Sequence, residues 1–240
     1  MISNSNQPIV IIGGFLSNIK FYSDITRVLL EISGQSVYIC QISVSDWLMS
    51  FSAKGWLNIM LKLKNTIDYV LEKHPNQKIT LIGHSSGGVI GRLYLSPLPF
   101  EGYIFNGLKH VNRLITLGSP HYSLLSSPMR NHVQRILPDA FYGKQVDYIS
   151  ISGTAVDLRT NPSIINVISR ICYRLLCGNG KTNGDGLVPV ECALLKNSIH
   201  IIVKGAGHPF LFATNWYGKP ENVKIWWSKI LSLENNSEYN

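Results

Sequence analysis

The sequence lacks a hydrophobic run long enough to cross a membrane. A spanning helix needs about 18 to 20 consecutive apolar residues, and no stretch of the 240 residues reaches that length. The apolar segment 9–16 is short and has no basic stretch before it, so it predicts a core strand and not a secretion signal. These absences predict a protein of the cytoplasm or of an organellar stroma.

Charged residues are also scarce, at 15%, whereas hydrophobic residues make up 45% of the chain. That balance excludes a disordered chain and a coiled coil. The net charge of +8 would attract nucleic acid or an anionic membrane if it were concentrated. The Lys and Arg residues are scattered singly, which favours a merely basic surface and predicts no nucleic-acid partner. Transient contact with a membrane surface stays open.

The chain has only four cysteines, and its Cys and His residues show none of the paired spacings of a zinc site. Cys172 and Cys177 share one predicted helix at a spacing that does not bring them together. The cysteines therefore predict a reduced compartment, with neither a disulfide framework nor a bound metal.

Apolar runs alternate with amphipathic helical patterns from one end of the chain to the other. Strands are predicted at 9–15, 37–43, 79–84, 113–118, 147–153 and 199–204. Helices are predicted at 20–32, 55–73, 87–94, 162–176 and 221–233. This alternation is typical of an α/β protein with about six mostly parallel strands and helices on both faces. We expect a single domain over residues 1–240, with a small cap, if any, within 122–144.

A Gly-His-Ser-Ser-Gly sequence centred on Ser85 separates strand 79–84 from helix 87–94. The pattern G-x-S-x-G between a strand and a helix is typical of a nucleophilic serine held on a sharp, strained turn. Larger side chains at Gly83 and Gly87 would collide there. The helix that follows directs its N-terminal amides at a developing oxyanion. We therefore expect Ser85 to be a nucleophile.

Gly13 and Gly14 end the first predicted strand. In hydrolases with this serine turn, one oxyanion amide comes from such a loop and the other from the residue after the nucleophile. The expected oxyanion amides are those of Phe15 and Ser86. An ordinary glycine turn is the alternative.

A serine nucleophile requires an imidazole base, and the base requires a carboxylate to orient it. His208 follows the last predicted strand at a glycine-rich turn, and Asp185 precedes that strand. The order Ser, Asp, His is the one expected. Among the seven histidines, His121 follows a strand and would line a pocket. Asp157 is the rival to Asp185 as the acid.

Apolar residues in two connecting segments have no evident core role. They are Trp47, Met49 and Phe51 in the predicted loop 45–54, and Phe210 and Leu211, which follow the expected base with Pro209. Both segments leave the edge of the sheet where ligands bind in parallel sheets. Either they form an apolar wall that binds substrate, or they pack into the core.

With these residues assigned, the chain resembles the lipase-like branch of the α/β-hydrolase superfamily, which includes small bacterial triacylglycerol lipases and cyanobacterial and plant lipase-like hydrolases. The likeness rests on residues 83–95, similar to G-H-S-x-G-G-x-x-A-R-x-Y, on 110–121, similar to a strand ending in G-T-P-H, and on Asp185-Gly186-Leu187-Val188. The chain departs from the family at Gly13, where histidine is common, and at Ser119, where threonine is usual.

The resemblance implies a minimal α/β-hydrolase fold and a carboxylic-ester hydrolase that acts on a lipid or other small acyl ester through an acyl-enzyme, without a cofactor. Two alternatives remain. The same residues would serve an acyltransferase, and a hydrolase fold can also serve as a binding protein without catalysis.

Overall fold

The computed structural model describes residues 7–124, 128–157, 164–209 and 215–237. The described strands are β1 (Ile9–Ile12), β2 (Val37–Ile39), β3 (Ile79–His84), β4 (Val111–Leu117), β5 (Asp147–Thr154), β6 (Val156–Asp157), β7 (Asn183–Gly184) and β8 (Ile199–Lys204). Six of them form one parallel sheet in the order β2-β1-β3-β4-β5-β8. This confirms the predicted fold class. The short antiparallel pair β6 and β7 was not predicted.

Helices cover both faces of this sheet. They are α1 (Ser23–Ser33), α2 (Val44–Met49), α3 (Ala53–Lys73), α4 (Ser86–Leu95), α5 (Pro128–Ile136), α6 (Ile164–Cys177), α7 (Val190–Ala193) and α8 (Pro220–Ser237). Successive β1 residues face opposite sides: Val10 and Ile12 join a core cluster with α3 and α4, whereas Ile9 and Ile11 join one with α1 and α8. Two apolar layers therefore enclose a sheet that is buried on both faces. No helix in the described ranges is long and apolar enough to cross a bilayer.

The long helix α3 follows from its apolar spacing and its N-terminal cap. Ser52 accepts a hydrogen bond from the Gly55 amide, which satisfies one of the free donors of the first turn. The buried stripe consists of Trp56, Ile59, Met60, Leu63, Ile67 and Val70. Tyr69 of the same helix is exposed instead and packs edge-on against Tyr38.

The prediction of a loop over 45–54 is wrong, because α2 covers the segment up to Met49 and α3 begins at Ala53. The Ser43 hydroxyl accepts from the Asp46 amide while the Asp46 carboxylate accepts from the Ser43 amide, and this reciprocal capping starts the helix. Asp46 also pairs with Lys62 of α3 at 2.6 Å. These contacts fix α2 against α3.

The region 122–144 contains helix α5, and a buried arginine anchors the chain that follows it. Arg92 of α4 donates to the Leu137 carbonyl and, at 3.1 Å, to the Gln134 side chain. Its guanidinium also lies 3.4 Å from His121 Nδ1. The C-terminal end of α5 is thereby tied to the helix that follows Ser85.

Candidate active site

Ser85 occupies the turn between β3 and α4, near the middle of the sheet. Its φ of 52° and ψ of −124° lie in a region that non-glycine residues rarely adopt. The Ser85 amide donates to the Leu117 carbonyl of β4 at 2.9 Å, which holds the turn to the neighbouring strand. The side chain is 7% exposed. The hydroxyl is therefore held by strained backbone at the carboxyl edge of the sheet.

The glycines that flank the serine are required by contact with other backbone atoms. A Cβ at Gly83 would lie 2.4 Å from the Cα of Gly88. A Cβ at Gly87 would lie 2.4 Å from the carbonyl oxygen of Gly13. Neither contact can be relieved by rotating a side chain, so the turn needs glycine at both positions.

The structure brings the three expected triad residues together. His208 Nε2 lies 3.1 Å from Ser85 Oγ, and His208 Nδ1 lies 2.8 Å from Asp185 Oδ2. Asp185 is fully buried, and His208 is 5% exposed. The His208 amide also donates to the Asp185 carbonyl at 2.6 Å. A hydrogen-bonded path therefore runs from the serine hydroxyl to a buried carboxylate, as a nucleophile, a base and its orienting acid require.

Asp185 is held by more partners than sequence reasoning anticipated. Its Oδ1 accepts from the amides of Leu187 at 3.0 Å and Val188 at 2.7 Å. Its Oδ2 accepts from the Tyr217 hydroxyl at 2.8 Å, and that hydroxyl accepts from the Gly153 amide at 2.8 Å. Burial, together with the negative charge of Asp185, raises the pKa of Tyr217 well above its ordinary value, so the phenol stays a donor. No motif in the sequence indicated Tyr217.

The rival acid, Asp157, forms part of the β6–β7 pair through its main chain. Its side chain lies outside the described residues, so the prediction that it is the rival stays untested.

A second tyrosine organises the loop after β1. The Gly14 amide donates to the Tyr22 hydroxyl at 2.8 Å, and that hydroxyl donates to Ser17 Oγ at 3.0 Å. His84 Nδ1 lies 2.8 Å from the same hydroxyl, and its ring stacks on His208 with centroids 5.1 Å apart. Burial, and then the charge of His208, lowers the pKa of His84 well below its ordinary value. His84 thus links the loop to the site as a neutral ring.

Of the two expected oxyanion amides, that of Ser86 follows Ser85 directly, and that of Phe15 follows Gly14, where a Cβ would lie 2.8 Å from the Ser85 Cβ. The Gly14 amide donates to Tyr22 Oη, and the Ser17 amide donates to the Gly14 carbonyl. The Phe15 amide, which lies between them in the chain, has no acceptor within the described ranges. Ser86 begins α4, where first-turn amides have no partner inside the helix. The Ser86 hydroxyl accepts from Arg130 of α5 at 3.0 Å, a contact that the sequence did not predict.

The residues expected to bind substrate divide into three groups. Trp47 is 1% exposed and belongs to the core cluster beside α3, so for this residue the core alternative holds. Met49 and Phe51 are 65% and 72% exposed. Phe15 bridges the two sets, with its ring 6.2 Å from Trp47 and 5.7 Å from Phe51. Phe210 and Leu211 lie outside the described residues, whereas Pro209 before them is buried.

His121 lines a cavity of about 490 Å³, and Arg130, which also lines it, contacts the Ser86 hydroxyl. Its Nε2 lies 3.1 Å from Thr116 Oγ1. All four cysteines are free thiols. The described part of the chain holds no group of three or more His, Cys, Asp or Glu residues suited to a metal ion.

Comparison with solved structures shows that this chain has the fold of the α/β-hydrolases. It is similar to phospholipase PlaB from Legionella pneumophila in complex with thio-NAD (TM-score 0.54, 18% identity, 78% of this chain and 43% of that one). It is also similar to Est1E from Butyrivibrio proteoclasticus (TM-score 0.53, 16% identity, 95% and 90% coverage). A third similar structure is the putative cell surface hydrolase from Lactobacillus plantarum WCFS1 (TM-score 0.54, 14% identity, 96% and 93% coverage). The chain thus spans less than half of the phospholipase, and at these identities the likeness concerns the fold alone.

No curated protein matches this sequence. The sequence does match the model of one family, described as palmitoyl protein thioesterase, over residues 8–156. That match covers more than half of the chain and includes the strand, turn and helix around Ser85. The protein is therefore a member of the palmitoyl protein thioesterase family, with the α/β-hydrolase fold.

Proposed function

We propose that this chain is a serine-dependent hydrolase of acyl esters and thioesters that works through an acyl-enzyme on Ser85. The observation that carries the proposal is the hydrogen-bonded path from Ser85 Oγ through the two His208 ring nitrogens to Asp185 Oδ2, at 3.1 Å and 2.8 Å. A serine hydroxyl becomes an effective nucleophile when an adjacent base removes its proton. A carboxylate holds that base in the required tautomer.

Acylation begins when Ser85 Oγ attacks the carbonyl carbon while His208 Nε2 takes the hydroxyl proton. Asp185 accepts from His208 Nδ1 and stabilises the imidazolium that forms. The carbonyl oxygen gains negative charge and accepts hydrogen bonds from the amides of Phe15 and Ser86. When the tetrahedral intermediate collapses, the alcohol or thiol leaves with the proton from His208.

Deacylation repeats these steps with water. His208 takes a proton from a water molecule, which attacks the acyl carbon, and Ser85 Oγ leaves with the proton returned by His208. Side chains and backbone amides supply every step, so the cycle calls for no cofactor.

We further propose a lipid or other apolar acyl chain as the part of the substrate that is transferred. The family match favours thioesters, and the exposed ring of Phe51 beside Phe15 offers apolar contact near the serine turn. Residues 1–240 would form one domain, with the α5 segment as a small cap over this edge.

An active-site probe tests the proposal directly. A fluorophosphonate should label the wild-type chain, and mass spectrometry should place the adduct on Ser85. Ser85→Ala should fold, lose the label and lose at least about 10³-fold in kcat towards esters, because the remaining oxyanion amides supply only residual catalysis. Ser228→Ala, at an exposed serine of α8, is the matched control and should behave as wild type. Equal labelling of Ser85→Ala, or activity within tenfold of wild type, would refute the proposal.

A further inference from the structure

Beside the serine turn lies the cavity of about 490 Å³ that His121 borders. The chain that follows β4, helices α5 and α6, and the segment around α7 form its walls. Arg130 connects this cavity to the candidate active site, since it lines the cavity and donates through Nη2 to Ser86 Oγ at 3.0 Å. Arg130 therefore lies between the cavity and Ser86, the residue that follows the proposed nucleophile.

The Arg130 guanidinium lacks the partners that a buried cation normally has. Its Nε is buried with no acceptor among the described residues, and its one hydrogen bond in those ranges is to the neutral Ser86 hydroxyl. Burial lowers the pKa of this guanidinium, and no neighbouring carboxylate counters the effect. Arg130 as a whole is part-buried where it lines the cavity, so its charge is partly withdrawn from water and has no counter-ion among the described residues. An anion that entered the cavity would supply one.

Arg92 provides the contrast. Its Nε also has no acceptor in the described ranges, but this residue is more deeply buried and its other guanidinium nitrogens are well bonded. It donates to the carbonyls of Leu137 and Asp139 and to the Gln134 side chain. That pattern belongs to an arginine that holds chain segments together. Arg130 holds no such carbonyl and instead faces the cavity.

The other charged residues of the cavity wall add to its attraction for anions. Lys196 lies at the exposed rim with no ion pair among the described residues, and Glu191 is the one carboxylate of the wall. Glu191 is itself exposed, and it lies beside the thiol of Cys177. Two cations and one anion therefore line the cavity, and the more buried cation is nearest to Ser85.

The sheet order places this cavity and the exposed ring of Phe51, with its neighbour Phe15, on opposite sides of Ser85. Ser85 follows β3, which lies between β1 and β4. Phe15 follows β1 and Phe51 belongs to the segment after β2, whereas the cavity lies beyond β4. An ester carbonyl at Ser85 would therefore have Phe15 and Phe51 on one side and the cavity that contains Arg130 on the other.

We infer that Arg130 is a specificity-determining residue that binds a phosphate on the leaving group of the substrate. This inference rests on the proposed function, because it assigns the leaving group of the same reaction. A guanidinium forms strong paired hydrogen bonds with phosphate oxygens. Two leaving groups carry this chemistry, a phosphoglycerol and a phosphopantetheine thiol, and the experiment distinguishes them.

Two matched substrate pairs test the inference. The first is 1-octanoylglycerol and 1-octanoylglycerol 3-phosphate, and the second is S-octanoylpantetheine and S-octanoyl-4′-phosphopantetheine. Within each pair the acyl bond is the same and only one member carries phosphate. We expect the wild type to prefer the phosphate-bearing member of at least one pair by about tenfold or more in kcat/KM, since a hydrogen bond to a charged group contributes that much. A response of the glycerol pair alone identifies a phosphoglycerol, and a response of the thioester pair alone identifies phosphopantetheine.

Variants of α5 assign the preference to Arg130. Arg130→Gln should lower the ratio of the two kcat/KM values by about tenfold or more, and Arg130→Lys should retain part of it. Arg135→Gln is the matched control on the same helix, because Arg135 is exposed and lies against His132. It should leave the ratio unchanged.

An equilibrium measurement makes the inference independent of turnover. Calorimetry should show that glycerol 3-phosphate binds the wild type and binds Arg130→Gln at least about tenfold more weakly. Equal kcat/KM within both pairs, a ratio that Arg130→Gln leaves unchanged, or equal binding of glycerol 3-phosphate would each overturn the inference. These results differ from failure of the proposed function, in which no ester or thioester is hydrolysed and Ser85 is not labelled.

Discussion

The Tyr217 hydroxyl donates to the same Asp185 oxygen that faces His208, at 2.8 Å. Asp185 Oδ2 thus accepts hydrogen bonds from both an imidazole and a phenol. The oxygen of that phenol in turn accepts from the Gly153 amide. The phenol keeps its proton, because burial and the Asp185 charge raise its pKa. Tyr217 therefore limits the rotation of the carboxylate while remaining uncharged.

We expect Tyr217→Phe to lower kcat about tenfold, because a hydrogen bond to a charged, buried group is lost and the Gly153 amide loses its acceptor. Thermal unfolding and kcat for a nitrophenyl ester would be measured together. Tyr38→Phe, which removes a hydroxyl bonded to His74 away from the site, is the control. If both variants lose stability alike and keep wild-type kcat, Tyr217 has only a structural role.

Asp185→Asn should lower kcat by about 10⁴-fold while the chain stays folded, because an amide does not hold the imidazole in the tautomer that accepts the serine proton. Asp157→Asn should change kcat little. Steady-state kinetics on one ester with both variants would decide between the two acids. The reverse outcome would move the acid to Asp157.

Acyl length should determine the rate if Phe51 contacts the acyl chain. Each buried methylene contributes about 0.8 kcal/mol, so two more should raise kcat/KM roughly tenfold until the site is full. Phe51→Ala should flatten this dependence without loss of stability, since Phe51 is 72% exposed.

Two controls accompany the acyl-length series. Trp47→Ala should instead lower stability by about 3–5 kcal/mol, as expected for a core tryptophan. Tyr69→Ala, at an exposed ring of α3 that packs against Tyr38, should leave the length dependence unchanged and lower stability by about 0.5–1.5 kcal/mol at most. A length dependence that is the same in Phe51→Ala and wild type would contradict the acyl contact.

The Asp46–Lys62 pair makes the free energy of unfolding depend on pH at the acidic end of the range. Burial raises the pKa of Asp46, but hydrogen bonds from Lys62 and Ser43 outweigh it and lower the pKa from 3.8 to about 2. Because the pKa of Asp46 is lower in the folded state, the carboxylate stabilises the fold at any pH above its pKa in the unfolded chain. This stability is lost as pH falls from about 4 to about 2. Asp46→Asn should therefore lower the free energy of unfolding by about 1–2 kcal/mol at pH 7, and the difference should shrink by pH 3.

Urea unfolding of wild type and Asp46→Asn at both pH values measures this effect. Asp68→Asn removes the exposed pair with Lys64 and should cost less than about 0.5 kcal/mol. An Asp46→Asn deficit that is the same at pH 7 and pH 3 would show that the carboxylate charge is not its cause.

The parts of the molecule that the sequence predicted are those whose causes are local. The strand, turn and helix around Ser85 follow from two glycines at fixed spacing and from the apolar run before them. His208 follows from its position after the last strand. Helix α2 was missed although its signal was present: Ser43 and Asp46 stand at the spacing of a capping box.

The parts that the sequence did not predict depend on contacts between distant segments. Tyr217 is 32 residues from Asp185, and Tyr22 is 62 residues from His84. Arg130 is 44 residues from Ser86 and is one basic residue among many scattered ones. These side chains meet only when the sheet has folded, and their spacing along the chain does not indicate that they will be in contact.

The backbone angles of Ser85 lower the stability of the fold, whereas its hydroxyl supplies the proposed chemistry. A φ of 52° with a ψ of −124° suits glycine, so a serine there costs on the order of 1 kcal/mol. Ser85→Gly should therefore raise the unfolding midpoint by a few degrees while it removes the hydroxyl. Random substitution screened for thermal stability alone would favour the loss of this side chain. Selection for what the hydroxyl does would be needed to keep a serine at a position where the chain folds better without it.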